Sequence, residues 1–143
     1  MRVLGVDFGL KRVGLAISDP GGVLASPYKT LERTTREKCF DDLKRIIENE
    51  GVGRVVVGLP VGLDGQETET TRQARNFAAG LARRVRAEVE LFDERLSSVQ
   101  AEAELKEAGI RCPNKRKQAL DSQAAAVILR TWLAARHTGT ETD

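Results

Sequence analysis

Three carboxylates stand where a fold could gather them for chemistry. Asp7 closes the first predicted strand, Glu94 closes the fifth, and Asp121 lies one turn into the last predicted helix. Taken singly, Asp7 could form a turn, Glu94 could pair with Arg95 or cap a helix, and Asp121 could favour the positive end of its helix dipole. Held together, the three would repel one another unless a cation lay among them. The set therefore indicates a cation site.

The other residue types restrict which cation and which reaction are possible. His137 is the only histidine, and Cys39 and Cys112 are far apart with no CxxC spacing. A zinc site, a disulfide framework, a histidine base and a Ser-His-Asp or Cys-His nucleophile are therefore disfavoured. Hard carboxylate ligands select Mg²⁺ or Mn²⁺, which keep open positions for phosphate oxygens. With basic residues nearby, the reaction that fits is metal-assisted hydrolysis of a phosphodiester.

Basic side chains form two acid-free groups in the second half, although the net charge is only +2. The first group is Arg72, Arg75, Arg83, Arg84 and Arg86, and the second is Arg111, Lys115, Arg116 and Lys117. Either group alone could be a solvated surface, but two in one small domain favour a polyanionic partner. The predicted substrate-binding residues are Arg12, Arg72, Arg75, Arg95, Arg111, Lys115, Arg116 and Lys117.

Length and composition predict one globular domain. The chain has 143 residues, of which 41% are hydrophobic and 31% charged. We expect a single nuclease domain over 1–137 and a polar tail over 138–143. No apolar run is long enough to span a bilayer, and the start does not look like a signal peptide, so we expect a cytoplasmic protein without a membrane role.

The periodicity predicts an α/β fold. Strands are expected at 3–7, 12–18, within 24–31, at 54–58 and at 89–92, and helices at about 34–51, 67–85, 97–108 and 117–136. Thr34 and Glu37 have the spacing of a capping box, Gly51 would end the first helix, and 111–116 reads as a loop. A leading hairpin and two later crossovers imply a mixed five-stranded sheet, its first three strands antiparallel, with helices on both faces.

The sequence resembles the RuvX/YqgF family, a bacterial branch of the ribonuclease H-like nucleases related to the RuvC junction resolvases. The motifs are GVDFGLKRVGLAISD (Gly5–Asp19), VVVGLPVGLDGQE (Val55–Glu67), FDERLSS (Phe92–Ser98), the stretch Lys115–Asp121 and LDSQAAAVIL (Leu120–Leu129). The resemblance covers nearly the whole chain. It implies a ribonuclease H-like fold, a nuclease activity, and Asp7, Glu94 and Asp121 as metal ligands. Family members are associated with processing the 5′ end of the 16S ribosomal RNA precursor, and some with Holliday junction resolution.

The chain also departs from the related patterns. Gly62-Leu63 stand where such family members often have Asn-Met, and Ala124 or Ala125 occupies the face where RuvC-type sites carry a fourth carboxylate. Three carboxylates can still hold two Mg²⁺ or Mn²⁺ ions when substrate oxygens help. Asp19 and Asp64 are possible outer ligands.

Several functions remain open, with a structured ribosomal RNA precursor as the favoured substrate. Aromatic residues are only 4% of the chain, so few side chains can stack on unpaired bases. The protein should therefore contact the sugar-phosphate backbone of the nucleic acid and recognise its shape. A junction resolvase acting on branched DNA normally needs a two-fold dimer, and we expect a monomer or a weak homodimer. A non-catalytic, RNA-binding ribosome-assembly module is a further alternative. The turn at Asp7–Gly9 is also similar to the phosphate loop of actin and hexokinase ATPases, but that fold requires two such domains.

Overall fold

A computed structural model describes residues 1–61, 64–93 and 113–142, with side chains except at 113–120 and 137–142. In chain order the elements are β1 (Arg2–Phe8), β2 (Arg12–Ser18), β3 (Ala25–Glu32), α1 (Arg36–Glu50), β4 (Val52–Leu59), α2 (Glu69–Ala82), β5 (Glu88–Asp93) and α3 (Pro113–Thr142). The helix predicted over 97–108 lies outside the described residues. No described helix is both long enough and apolar enough to cross a bilayer.

The five strands form one mixed sheet in the order β3-β2-β1-β4-β5. β1, β2 and β3 pair antiparallel, whereas β4 runs parallel to β1 and β5 runs parallel to β4. The carboxyl ends of β1, β4 and β5 therefore meet at one edge, which we call the carboxyl edge. The opposite edge, where these three strands begin, is the amino edge. The predicted sheet and its antiparallel leading strands are confirmed.

Alternate residues of the strands supply two apolar cores, one on each face of the sheet. On one face, Leu4, Val6 and other strand residues pack with the buried stripes of α1 and α2. On the other face, Val3 and Val56 pack beneath α3, whose buried residues include Trp132. Helices thus cover both faces, as the alternation of elements predicts.

Three predictions about helix ends are wrong by a few residues. Thr35, not Thr34, caps α1, because the Thr35 side chain accepts a hydrogen bond from the backbone N–H of Lys38. The loop predicted over 111–116 is helical from Pro113 onward. Proline is well suited to the first helical position, where its missing N–H removes no hydrogen bond. At its other end α3 continues to Thr142, through the segment predicted as a polar tail.

Candidate active site

Asp7 and Asp121 come together at a glycine of β2. Asp7 is paired with Gly14 across the β1–β2 ladder, so the two residues share the sheet face that α3 covers. A Cβ on Gly14 would lie 2.0 Å from the carbonyl oxygen and 3.0 Å from the Cα of Asp121. The backbone of α3 therefore rests directly on Gly14. Since opposed Cα atoms lie about 4.5–5.5 Å apart, Asp7 and Asp121 flank one small region.

Arg12 holds the side chain of Asp121. Its Nε donates a hydrogen bond to Oδ2 of Asp121 at 2.7 Å, and the two side chains are 28% and 24% exposed. Arg12 begins β2 at the carboxyl edge, so this ion pair ties the start of β2 to α3 next to Asp7. The pair orients one carboxylate oxygen and leaves the other for a second partner.

The third predicted carboxylate follows directly on the last described residue of β5. Asp7 is paired with Gly58, and Leu59 with Asp93, so β1 and β5 end at the same edge with β4 between them. Two strand spacings place the ends of β1 and β5 about 9–10 Å apart. Glu94 lies outside the described residues, and its role as a ligand stays a prediction.

The donor chemistry at this edge fits a hard divalent cation. Asp7 and Asp121 supply carboxylate oxygens on one face of the sheet, and neither histidine nor cysteine is near them in the described part of the chain. The described residues alone contain no group of three or more histidine, cysteine, aspartate or glutamate side chains able to hold a metal. A complete carboxylate site therefore needs Glu94 or substrate oxygens as well.

Arg33 fixes the turn that follows Asp7, although no motif in the sequence predicts this role. Its Nη1 donates hydrogen bonds to the carbonyl oxygens of Gly9 and Leu10, both at 3.1 Å. Its guanidinium also lies over the ring of Phe8, 4.7 Å from the centroid. The side chain of Arg33, which follows the end of β3, thus stabilises the turn between β1 and β2.

The described basic residues differ in how their charges are used. Arg72 pairs with Glu69 at 2.5 Å, and Arg75 makes two hydrogen bonds with Glu67 at 2.9 and 2.7 Å. The hydrogen bond from Arg75 lowers the pKa of Glu67 below its usual value. Both arginines lie on the surface of α2, and their charges are offset locally.

The second basic group lies partly in the described chain. The backbone of Lys115, Arg116 and Lys117 belongs to the first turns of α3, four to six residues before Asp121. Arg95 and Arg111 lie outside the described residues. All three positions in α3 are therefore on the helix that carries a candidate ligand.

The possible outer ligand Asp19 lies at the wrong end of the sheet. It follows β2 at the amino edge, where its Oδ1 accepts hydrogen bonds from the backbone N–H groups of Leu24 and Val23 at 2.8 and 2.7 Å. These bonds lower the pKa of Asp19. Asp19 therefore stabilises the turn before β3 and is remote from Asp7.

The positions of Ala124 and Ala125 are explained by packing. Both are buried, and a Cβ on Gly5 would lie 3.0 Å from the carbonyl oxygen of Ala125. Small residues on both sides thus allow α3 to lie close against the sheet. Ala124 lies instead in a separate buried cluster with Val127. A carboxylate at either position would therefore be buried.

Comparisons with known proteins agree with the geometry. The model of a family described as "RuvX: Holliday junction resolvase" matches residues 1–135. A protein of Maridesulfovibrio salexigens is 63% identical over 134 residues, covering 94% of this chain and 98% of that protein. One of Anaeromyxobacter sp. (strain Fw109-5) is 44% identical over 137 residues, covering 96% and 99%. Both carry the name "Putative pre-16S rRNA nuclease".

Solved structures share the fold at low sequence identity. RuvC of T. thermophilus in complex with a Holliday junction substrate matches with a TM-score of 0.59 and 17% identity, covering 96% of each chain. The Fowlpox virus resolvase in complex with Holliday junction DNA matches with a TM-score of 0.57 and 11% identity, covering 95% of this chain and 99% of that one. The ribonuclease H-like fold expected from the motifs is confirmed.

Proposed function

Because the chain belongs to the RuvX family, we propose that it is a nuclease that hydrolyses phosphodiester bonds in the precursor of 16S ribosomal RNA. The observation that carries the proposal is the meeting of Asp7 and Asp121 at Gly14, on the carboxyl edge of the sheet. Ligand sites of open α/β sheets lie beyond such edges. The names of the relatives support the choice of RNA, and a protein with that substrate would act in the cytoplasm.

Asp7, Glu94 and Asp121 are the proposed ligands of one or two Mg²⁺ or Mn²⁺ ions. Bound there, such an ion supplies a Lewis acid for the scissile phosphate and activates the attacking water. Asp7 and Asp121 would hold the ion in a fixed position, because the sheet and α3 are packed against each other at Gly14. Arg12 keeps one oxygen of Asp121 in place before substrate arrives.

The basic residues would bring the phosphate backbone to this edge. Lys115, Arg116 and Lys117 lie on the first turns of α3, so a strand bound there passes Asp121. Arg72 and Arg75 can contribute only by exchanging Glu69 and Glu67 for phosphate oxygens. We therefore rank the α3 residues, with Arg95 and Arg111, above the two on α2 as phosphate contacts.

Replacing Asp7 by asparagine tests the hydrolysis. Asp7→Asn keeps the size of the side chain and its ability to form a turn but removes its charge. We expect cleavage of precursor RNA with Mg²⁺ or Mn²⁺ to be lost, while RNA binding and folding are retained. Asp41→Asn, which removes an exposed carboxylate from α1, is the matched control and should cleave normally. Full cleavage by Asp7→Asn would contradict the proposal.

Holliday junction resolution is the second candidate, because the family description and the RuvC fold both point to it. A resolvase makes two symmetric cuts and normally acts as a two-fold dimer. We propose a monomer or a weak homodimer, which suits a single cut in RNA. Sedimentation together with a cleavage panel separates the two functions. A stable dimer that nicks a four-way junction symmetrically and leaves precursor RNA intact would favour the resolvase.

A further inference from the structure

A small cavity lies behind the turn that follows Asp7, on the sheet face covered by α1 and α2. Its volume is about 190 Å³, and its lining residues are Phe8, Arg33, Arg36, Gln73, Asn76 and Phe77. Phe8 and Phe77 are buried and close its floor with rings 5.0 Å apart. The walls are two guanidinium groups and two side-chain amides, and none of the described residues that line the cavity is acidic.

The two arginines have different partners. Arg33 is committed to the turn through its hydrogen bonds with Gly9 and Leu10. Arg36 has no carboxylate partner among the described residues, and its guanidinium lies over the ring of Phe40 at 5.3 Å. A Cβ on Gly80 would meet Nη2 of Arg36 at 2.7 Å, so the arginine occupies the space that this glycine leaves. Stacking holds the guanidinium plane while its N–H groups remain available to an anion.

The two amides face the same cavity without hydrogen bonds of their own in the described structure. Gln73 and Asn76 are three residues apart on α2 and thus lie on one face of the helix. An amide both donates and accepts hydrogen bonds, which matches a hydroxyl group, itself a donor and an acceptor. A phosphate, in contrast, only accepts. A guanidinium beside two free amides therefore suits a ligand that presents both a phosphate and a hydroxyl.

The cavity is close enough to the candidate active site to bind the same strand. Phe8 follows Asp7 in β1, so the two Cα atoms are 3.8 Å apart across the peptide and their side chains point to opposite faces. The turn held by Arg33 lies between the cavity and the carboxyl edge. A nucleic-acid strand that passes this edge to reach Asp7 would meet the cavity on the other face.

We propose that this cavity is a ribose-binding subsite, in which Arg36 binds a backbone phosphate and Gln73 with Asn76 bind 2′-hydroxyl groups of an RNA substrate. The inference rests on the proposed nuclease function and adds to it a reason for preferring RNA over DNA. The 2′-hydroxyl is the group that distinguishes the two backbones. The subsite acts in binding and takes no part in the bond that breaks.

The test compares an RNA hairpin with the same hairpin made of 2′-deoxyribose, by measuring equilibrium binding without divalent metal. We expect the wild-type protein to bind the ribose form more tightly and Gln73→Ala/Asn76→Ala to lose that preference, by about threefold to tenfold per hydroxyl contact. Arg36→Ala should weaken both forms alike and lower the slope of log affinity against log salt by about 0.7–0.9. Asn49→Ala, which removes an exposed amide near the end of α1, is the control and should keep the wild-type ratio.

Failure of the subsite is distinguishable from failure of the nuclease function. Alanine favours helix at both α2 positions, so the double variant should fold, as circular dichroism will verify. A wild-type protein without ribose preference, or a double variant with the wild-type ratio, overturns the subsite even if RNA is cleaved. A wild-type protein that prefers ribose through these residues but cuts no RNA with Mg²⁺ or Mn²⁺ supports the subsite and contradicts the hydrolysis.

Discussion

The distance between Asp7 and Asp121 depends on the close contact of α3 with Gly14. The variant Gly14→Ala tests this dependence most directly. The added Cβ would lie 2.0 Å from the carbonyl oxygen of Asp121, whereas ordinary contact begins near 3.4 Å. The obstructing atoms belong to the helix backbone, which cannot turn aside as a side chain would. The helix α3 must therefore retreat by about 1.4 Å at this point.

Two effects of different size should follow from this retreat. Overpacking of this kind costs about 1–3 kcal/mol in the free energy of unfolding. A misplacement of about 1 Å between catalytic groups can cost about 100-fold in rate. We therefore expect Gly14→Ala to stay folded under mild conditions but to cleave RNA at least about 100-fold more slowly. Urea unfolding and single-turnover cleavage measure the two effects.

Gly51→Ala separates displacement from simple destabilisation. Gly51 ends α1 with φ 67° and ψ 40°, and a Cβ there would meet no atom within 4 Å. Alanine in this left-handed conformation costs about 1–2 kcal/mol without moving α3. This control should cleave at the wild-type rate. Wild-type cleavage by Gly14→Ala, or an equal loss in both variants, would refute the argument that the contact at Gly14 sets the site.

Three further predictions concern single side chains. Arg12→Ala frees the carboxylate of Asp121, so we expect Mn²⁺ to bind a few-fold more tightly, as measured by calorimetry without nucleic acid. The free energy of unfolding should fall by at most about 1 kcal/mol. An unchanged affinity for Mn²⁺ would show that the ion pair does not compete with the cation. Burial raises the pKa of the Cys39 thiol, so in a Cys112→Ser background it should resist thiol reagents at pH 8 until urea unfolds the chain. Hydrogen bonds from the backbone lower the pKa of Asp19, so its charged form stabilises the fold relative to Asp19→Asn. This stabilisation should be complete above the unfolded pKa near 3.9 and should decline as the pH falls through the pKa of the folded protein. A stability difference between the two proteins that grows on acidification would contradict this prediction.

The sequence was sufficient for the parts of the fold that depend on regular patterns. The hydrophobic periods predict the strands and the faces of α1 and α2, and Gly51 ends α1 as expected. Carboxylates at strand ends predict that Asp7 lies at the carboxyl edge, and the resemblance to a known family predicts the ligand set. Pro113 could also have been interpreted as the first residue of a helix, because proline is favoured there.

The remaining features depend on contacts between distant parts of the chain. The ion pair between Arg12 and Asp121 joins residues 109 positions apart, and no local pattern indicates it. The pairing of Arg72 with Glu69 follows helical spacing and can be predicted from the sequence. The pairing of Arg75 with Glu67 spans eight residues, and no local spacing predicts it. A glycine within a strand, such as Gly14, does suggest a close approach of backbone, but not which segment approaches.

The position of α3 after the five described strands in chain order has a consequence for how the candidate site forms. Strands and helices from the first 93 residues can form one core by themselves, on the face covered by α1 and α2. Among the described residues, α3 covers the other face, and Asp121 reaches Gly14 only when α3 packs there. The candidate site therefore depends on the second core, the one beneath α3, and the first core alone cannot form it. A truncated chain of residues 1–93 would therefore retain Asp7 but lack Asp121, and it could not form the complete candidate site.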